Sequence, residues 1–214
     1  MTVAVLNALV RPLLEERLPD WLDARWFANA EELFDLAPEA EIAWFDSYDF
    51  GATPKAVMLA ERLKWLNTLS AGVDYFPLDK LRELGALFTN GRGINAPTIA
   101  EYALMGMLVL AKGYRDVVHA QDRHEWLQDA PGKTELMGSK ALVIGAGGIG
   151  GRIAELLRRI EVEVTEVRRR PAPGVLTAGQ WRERLGEFDW VVVIVPSTPD
   201  TAKMIGAAEL AAMK

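Results

Sequence analysis

The segment Val143-Ile144-Gly145-Ala146-Gly147-Gly148-Ile149-Gly150-Gly151-Arg152 constrains this chain more than any other. An apolar run, Ala141 to Ile144, enters it, and Ile149, Ile153, Leu156, Leu157 and Ile160 follow at helical spacing. That pattern reads as a parallel strand turning directly into a helix. The glycines then have separate tasks: Gly145 permits the sharp turn, Gly147 lets the backbone come close to a pyrophosphate, and Gly150 lets helix and strand pack tightly. The unpaired amides that open the helix, around Gly148 and Ile149, favour bound negative charge together with the helix dipole. Glycine spacing alone is weak evidence; the strand before it and the helix after it make the dinucleotide reading specific.

The second strand of such a unit, here Val162 to Val167, usually ends in an Asp or Glu that accepts hydrogen bonds from the ribose 2'-hydroxyl. This one ends in Arg168-Arg169-Arg170-Pro171. A guanidinium binds a 2'-phosphate through two parallel charge-assisted hydrogen bonds, whereas a carboxylate would repel it. Arg168 and Arg169 therefore favour NADP(H) over NAD(H). The competing reading is a solvated basic loop with Glu166, which shares Arg168's face of the strand, as the ribose acceptor.

With 214 residues and half of them hydrophobic, the chain can build one large core or two smaller ones. A formal charge of -6 argues against a nucleic-acid surface. The absence of cysteine excludes disulfides, thiolate catalysis and cysteine metal sites. Val3 to Val10 lacks a basic leader, and the apolar stretch Tyr102 to Ala111 is too short to cross a bilayer, so a cytoplasmic protein with no membrane partner is expected.

Strand-like runs at Val3 to Leu6, Arg25 to Phe27, Glu41 to Phe45, Leu66 to Leu69 and Leu87 to Thr89 alternate with helical patterns from Leu13 to Leu18, from Glu31, from Pro54 to Arg62 and from Leu78 to Leu84. This alternation predicts an α/β fold with a parallel sheet, flavodoxin-like, in an N-terminal lobe of residues 1–91. Gly91-Arg92-Gly93 reads as a hinge to a second lobe, residues 92–214. A single helix is predicted from Thr98 to about Gln121; its first half is apolar on nearly every face, which predicts burial between the two lobes and against a second subunit in a homodimer, the competing reading being burial wholly within one chain. Beyond it come the glycine turn, a helix near Ala178 to Leu185, a third strand at Trp190 to Val195, and a last helix from Ala207. Pro196, Ser197 and Thr201 follow that strand, at the carboxyl end where open parallel sheets bind ligands.

Four segments in order carry a family resemblance: Leu63 to Asp74 (LKWLNTLSAGVD), Gly93 to Tyr102 (GINAPTIAEY), the glycine turn, and Val195 to Thr201 (VPSTPDT). Together they resemble the D-isomer-specific 2-hydroxyacid dehydrogenases over nearly the whole chain, and the arginines resemble the NADP-preferring glyoxylate and hydroxypyruvate reductases among them. The resemblance implies a substrate lobe followed by an incomplete Rossmann cofactor lobe, and hydride transfer between a nicotinamide and a small 2-oxo or 2-hydroxy acid. It also implies that backbone amides of Ala71 and Gly72 hold the substrate carboxylate, and that Pro196, Ser197 and Thr201 lie beside the nicotinamide ribose. The small residues of the first turn suit that task, since they leave amide donors exposed; the competing reading is a strand-to-helix turn capped by Asp74. Glu101 reads as a helix-start or hinge carboxylate.

The family's catalytic Arg, Glu and His come from later strands of the cofactor lobe. The chain reaches Met213-Lys214 before them, so a truncated form, inactive by itself, is expected. With the first strand of the cofactor sheet central in the usual order, the missing strands would leave Ala141 to Ile144 as an exposed edge. His119 and His124 read as solvated surface groups. A non-catalytic, dimerising dinucleotide-binding protein, or a related dehydrogenase acting on amino acids or formate, are the other readings.

Overall fold

The structure, a computed structural model, describes residues 1–49, 51–170, 172–177 and 179–214. The chain divides into two compact units, Met1–Arg92 and Gly93–Lys214.

In the first unit the elements are β1 (Thr2–Asn7), α1 (Arg11–Leu14), β2 (Leu22–Phe27), α2 (Ala30–Leu36), β3 (Ile42–Trp44), α3 (Ala52–Leu59), β4 (Trp65–Thr68), α4 (Leu78–Leu84) and β5 (Leu87–Asn90). All neighbouring strands are parallel, in the order β2-β1-β3-β4-β5. This is the flavodoxin-type order, with its reversal between β1 and β3. Residues Val3 to Leu6 of β1 are buried without alternation, because a parallel strand inside a doubly covered sheet meets apolar side chains on both faces. Val5, Phe27, Leu33, Phe45, Val57 and Leu66 form the centre of this core. The helix expected from Leu13 to Leu18 is instead the single turn α1 between two 3-10 turns, Ala8–Val10 and Glu15–Arg17. Pro12 fits only a first helical turn and Pro19 stops further winding, which leaves too few residues for a regular helix.

The second unit holds α5 (Ala96–Ala111), α6 (Tyr114–Asp122), β6 (Lys140–Ile144), α7 (Gly148–Arg159), β7 (Glu163–Val167), β8 (Val175–Leu176), β9 (Trp190–Val193) and α8 (Ala207–Ala212). Its four strands are parallel in the order β8-β7-β6-β9. Two cores flank this sheet, one under α5 and α7 around Met107, Val143, Ile153 and Leu157, the other around Leu142, Ile144, Trp181 and Leu185.

Three expectations for this unit need correction. The Thr98 to Gln121 helix is two helices, broken at Gly113, which adopts φ 58°. A β-carbon on Gly113 would stand 2.9 Å from the Gly132 backbone nitrogen, so the break is also a close approach of two chain segments. Ala141 to Ile144 is not an edge: β6 is central, paired by β7 and β9, and these residues are at most 2% exposed. The difference lies in β8, a two-residue strand, which makes Trp190–Val193 the fourth strand and sends it to the far side of β6. The helix expected near Ala178 to Leu185 is a 3-10 segment, Arg182–Glu187, and Ala178 lies outside the described residues. Among the described residues no helix is long and apolar enough to cross a membrane.

Candidate cofactor site and substrate turn

The glycine turn sits at the carboxyl ends of β6 and β9, where the chain order of the sheet reverses and open α/β sheets form their ligand crevice. Gly145 has φ 101°, and a β-carbon there would lie 2.4 Å from the Ile194 carbonyl oxygen. A β-carbon on Gly150 would lie 2.3 Å from the Gly145 carbonyl oxygen. Both glycines are thus dictated by the chain's own packing. Gly147 differs: a β-carbon there would meet only the Gly145 carbonyl oxygen, at 4.0 Å. The space beside Gly147 is open, and Gly147 caps α7 without a side chain or any acidic residue in the first turn. The amides of Gly148 and Ile149 at the start of this twelve-residue helix are therefore unopposed by side-chain charge, as a pyrophosphate cradle requires.

At the end of β7, Glu166 is buried and lies between two arginines. Its Oε2 accepts from Arg168 Nε at 3.2 Å and Nη2 at 2.7 Å, and its Oε1 accepts from Arg158 Nη2 at 2.9 Å. Burial pushes the Glu166 carboxyl up, but the hydrogen bonds from Arg168 and Arg158 outweigh it and hold the group below the usual carboxylate range. Both oxygens already serve guanidinium groups, which weakens the case for Glu166 as the ribose acceptor. Arg169 and Arg170 are exposed and make no ion pair among the described residues.

The segment after β9 is closed by Thr201. Its hydroxyl donates to the Pro196 carbonyl at 2.5 Å and accepts from the Thr198 amide at 2.9 Å. Thr201 braces this loop, while Pro196 and Ser197 are exposed on it.

In the first unit, the turn after β4 is tied down at both ends. Asp46, just past β3, accepts from the Leu69 amide and from the hydroxyl of Thr68, each at 2.6 Å, and from Trp44 Nε1 at 2.9 Å. Asn90 Nδ2 donates to the Ala71 carbonyl, and the Gly91 amide to the Ser70 carbonyl. Neither the Ala71 amide nor the Gly72 amide meets an acceptor among the described residues. Asp74 caps no helix among the described residues: α4 begins at Leu78, behind Pro77 and without a side-chain cap.

These two sites lie on a chain whose residues 104–214 match the family model described as D-isomer specific 2-hydroxyacid dehydrogenase, NAD binding domain. The chain belongs to that family. Its relatives among curated proteins include the D-3-phosphoglycerate dehydrogenase of Synechocystis sp., 24% identical over 90% of this chain and 36% of the relative. The chain spans between about a quarter and two fifths of the curated relatives it matches. Solved structures with the same fold include an acyclic imino acid reductase in complex with NADPH and D-Arg (TM-score 0.78, 18% identity, 100% of this chain and 71% of that one). Another is the D-lactate dehydrogenase of Aquifex aeolicus with NAD and lactic acid (TM-score 0.75, 22% identity, 99% of this chain and 66% of that one). The parallel α/β architecture expected from the sequence is thus the family's own.

Other groups of the chain fall outside the two sites. His119 and His124 are both exposed, and Glu101 is exposed in the second turn of α5, past the helix start. No group of three or more His, Asp and Glu residues is placed to hold a metal among the described residues. Sequence reasoning missed Asp46 altogether. Its signal was a lone carboxylate directly after an apolar strand, at the carboxyl edge of a parallel sheet.

Proposed function

We propose that this chain carries the adenosine-side cofactor site and the substrate-carboxylate turn of an NADP(H)-dependent reductase of small 2-oxo acids, of glyoxylate or hydroxypyruvate size. The observation that carries the cofactor choice is Arg168 at the end of β7, with the carboxylate beside it already paired to guanidinium groups. A bound nicotinamide would supply hydride from C4 to the substrate carbonyl carbon, while an acid outside this chain protonates the oxygen that becomes the hydroxyl. The chain's own part is binding. The first amides of α7 take the pyrophosphate, Arg168 and Arg169 take the 2'-phosphate, and the Pro196 to Thr201 loop serves the nicotinamide ribose. The Ala71 and Gly72 amides take the substrate carboxylate, in a turn held by Asp46 and Asn90. In this reading residues 1–91 are the substrate lobe and 92–214 the cofactor lobe. Known relatives' cofactors support both nicotinamides, since the two structural neighbours hold NADPH and NAD respectively.

Dimerisation belongs to the same reading, now through α5 alone. Tyr102, Met105 and Leu108 recur along one side of that helix and are 72%, 47% and 41% exposed. They leave an apolar strip suited to a second copy of the chain.

The test is oxidation of NADPH by the 214-residue chain with glyoxylate or hydroxypyruvate, followed beside direct NADPH binding. Binding with turnover supports the reading. Turnover excludes a non-catalytic dinucleotide-binding dimer, NADPH binding without turnover is the outcome expected of a chain whose own part is binding, and absence of NADPH binding overturns the cofactor assignment.

A further inference from the structure

Arg168 lies where β7 leaves the sheet, its backbone amide bonded to the Leu176 carbonyl at 3.0 Å. Its side chain is long and 45% exposed. An arginine in that position, left to itself, spreads over many rotamers and meets a phosphate only after losing that freedom. Here it is held. Glu166, on the same face of β7 and only 8% exposed, binds one edge of the guanidinium through Nε and Nη2. Glu166 is in turn held by Arg158, from the last turn of α7, on its other oxygen.

We propose that Glu166 is a positioning residue for cofactor choice: fixed by Arg158, its carboxylate sets the Arg168 guanidinium so that the remaining edge presents a fork to a ribose 2'-phosphate. The inference rests on the NADP(H) reading above. A guanidinium has five N–H donors; two face Glu166, and the Nη1–Nη2 edge keeps the parallel pair that matches a phosphate. The charges agree with this role. A lone carboxylate beside the ribose would repel a 2'-phosphate, but one carboxylate between two guanidinium groups leaves a net positive cluster. The same residue type that selects NAD(H) when its oxygens are free here serves the opposite selection, because both oxygens are engaged.

Two physical effects of neutralising Glu166 have opposite signs, which makes the proposal decidable. If the carboxylate acts only as a nearby negative charge, Glu166→Gln tightens NADPH. If it positions Arg168, the same change frees the guanidinium and weakens NADPH. Fluorescence titration of the 214-residue chain with NADPH and NADH, with thermal melting to check the fold, reads the difference.

The expected result for Glu166→Gln is an NADPH Kd raised about tenfold with NADH within about twofold. Arg158→Gln, at a half-exposed position on α7, shifts the ratio in the same direction by a smaller factor and tests the proposal if the buried substitution fails to fold. In an Arg168→Met background, Glu166→Gln or Arg158→Gln has no further effect on NADPH, which a purely structural role would not produce. An NADPH Kd that is unchanged or lowered in folded Glu166→Gln, or an unchanged NADPH/NADH ratio in Arg158→Gln, overturns the proposal. If NADPH preference is lost in Arg168→Met but survives both other substitutions, only the positioning role falls. If the wild-type chain shows no preference, the cofactor reading falls and this inference with it.

Discussion

Gly145 lies so close to Ile194 that a β-carbon on the glycine would stand 2.4 Å from the isoleucine's carbonyl oxygen. The strand-to-helix turn and the start of the loop after β9 are therefore one packed unit at the carboxyl edge of the sheet. A side chain at Gly145 would push them apart. Two residues on, the space beside Gly147 is open, so the chain's own packing does not require glycine there.

That contrast predicts opposite phenotypes for neighbouring substitutions. Gly145→Ala forces a clash at a left-handed backbone and should cost about 3 kcal/mol or more in stability. Gly147→Ala should leave stability within about 1 kcal/mol while weakening NADPH more than about tenfold. Denaturant melts paired with cofactor titration separate the two; a Gly147→Ala chain that binds NADPH like the wild type contradicts the assigned role.

Asp46 joins β3 to the turn after β4 through three hydrogen bonds. Asp46→Ala should destabilise by about 1–3 kcal/mol, because donors that met a carboxylate lose it. In an active preparation it should also raise KM for the 2-oxo acid more than it lowers kcat, since it displaces the turn proposed to present the Ala71 and Gly72 amides to the substrate carboxylate. Urea unfolding and steady-state kinetics measure the two effects.

Acid should act in part through Glu166. Its folded-state pKa lies below the unfolded value of about 4.3. The ionised form is thus favoured by folding, and the stability it adds is complete above that unfolded value and lost as pH falls through the folded one. Glu166→Gln should therefore show a flatter stability profile below about pH 4.5 than the wild type. Parallel acid limbs in the two proteins would contradict this.

The α5 surface makes a fourth prediction. Met105→Lys combined with Leu108→Lys should turn a dimer into a monomer without unfolding the chain, since both side chains are substantially exposed within one copy. Sedimentation velocity and melting temperature decide it. An unchanged oligomeric state would place any interface elsewhere.

What the sequence made legible follows from how each element announces itself. Helix α4 is bounded by Pro77 before and Gly85 after, and the pattern Leu78 to Leu84 matches the structure at both ends. Strands β1 and β6 are apolar runs too short and too β-branched for helices. Strand β8 has only two residues, Val175 and Leu176, and no periodicity can mark so short a run. Missing it reversed the expected place of β9 and turned a central strand into an expected edge. The break at Gly113 was visible as a glycine, yet only the Gly132 backbone packed against it shows that the helix must stop there. Within the site, the glycines could be given separate tasks from spacing alone, and Glu166 could be placed on Arg168's face. That Arg158 completes the pairing depends on where α7 ends over the sheet, a tertiary fact with no local signature.

In the proposed function, Arg168 selects a phosphorylated ribose. The most direct measurement is the ratio of NADPH to NADH dissociation constants for the wild-type chain and for Arg168→Asp. The wild type should favour NADPH, and the substitution should weaken NADPH by about a hundredfold or more, through loss of a charge-assisted pair and gain of a repelling carboxylate, while changing NADH by less than about threefold. Equal losses for both cofactors, or a wild type that binds NADH as tightly as NADPH, would contradict the account.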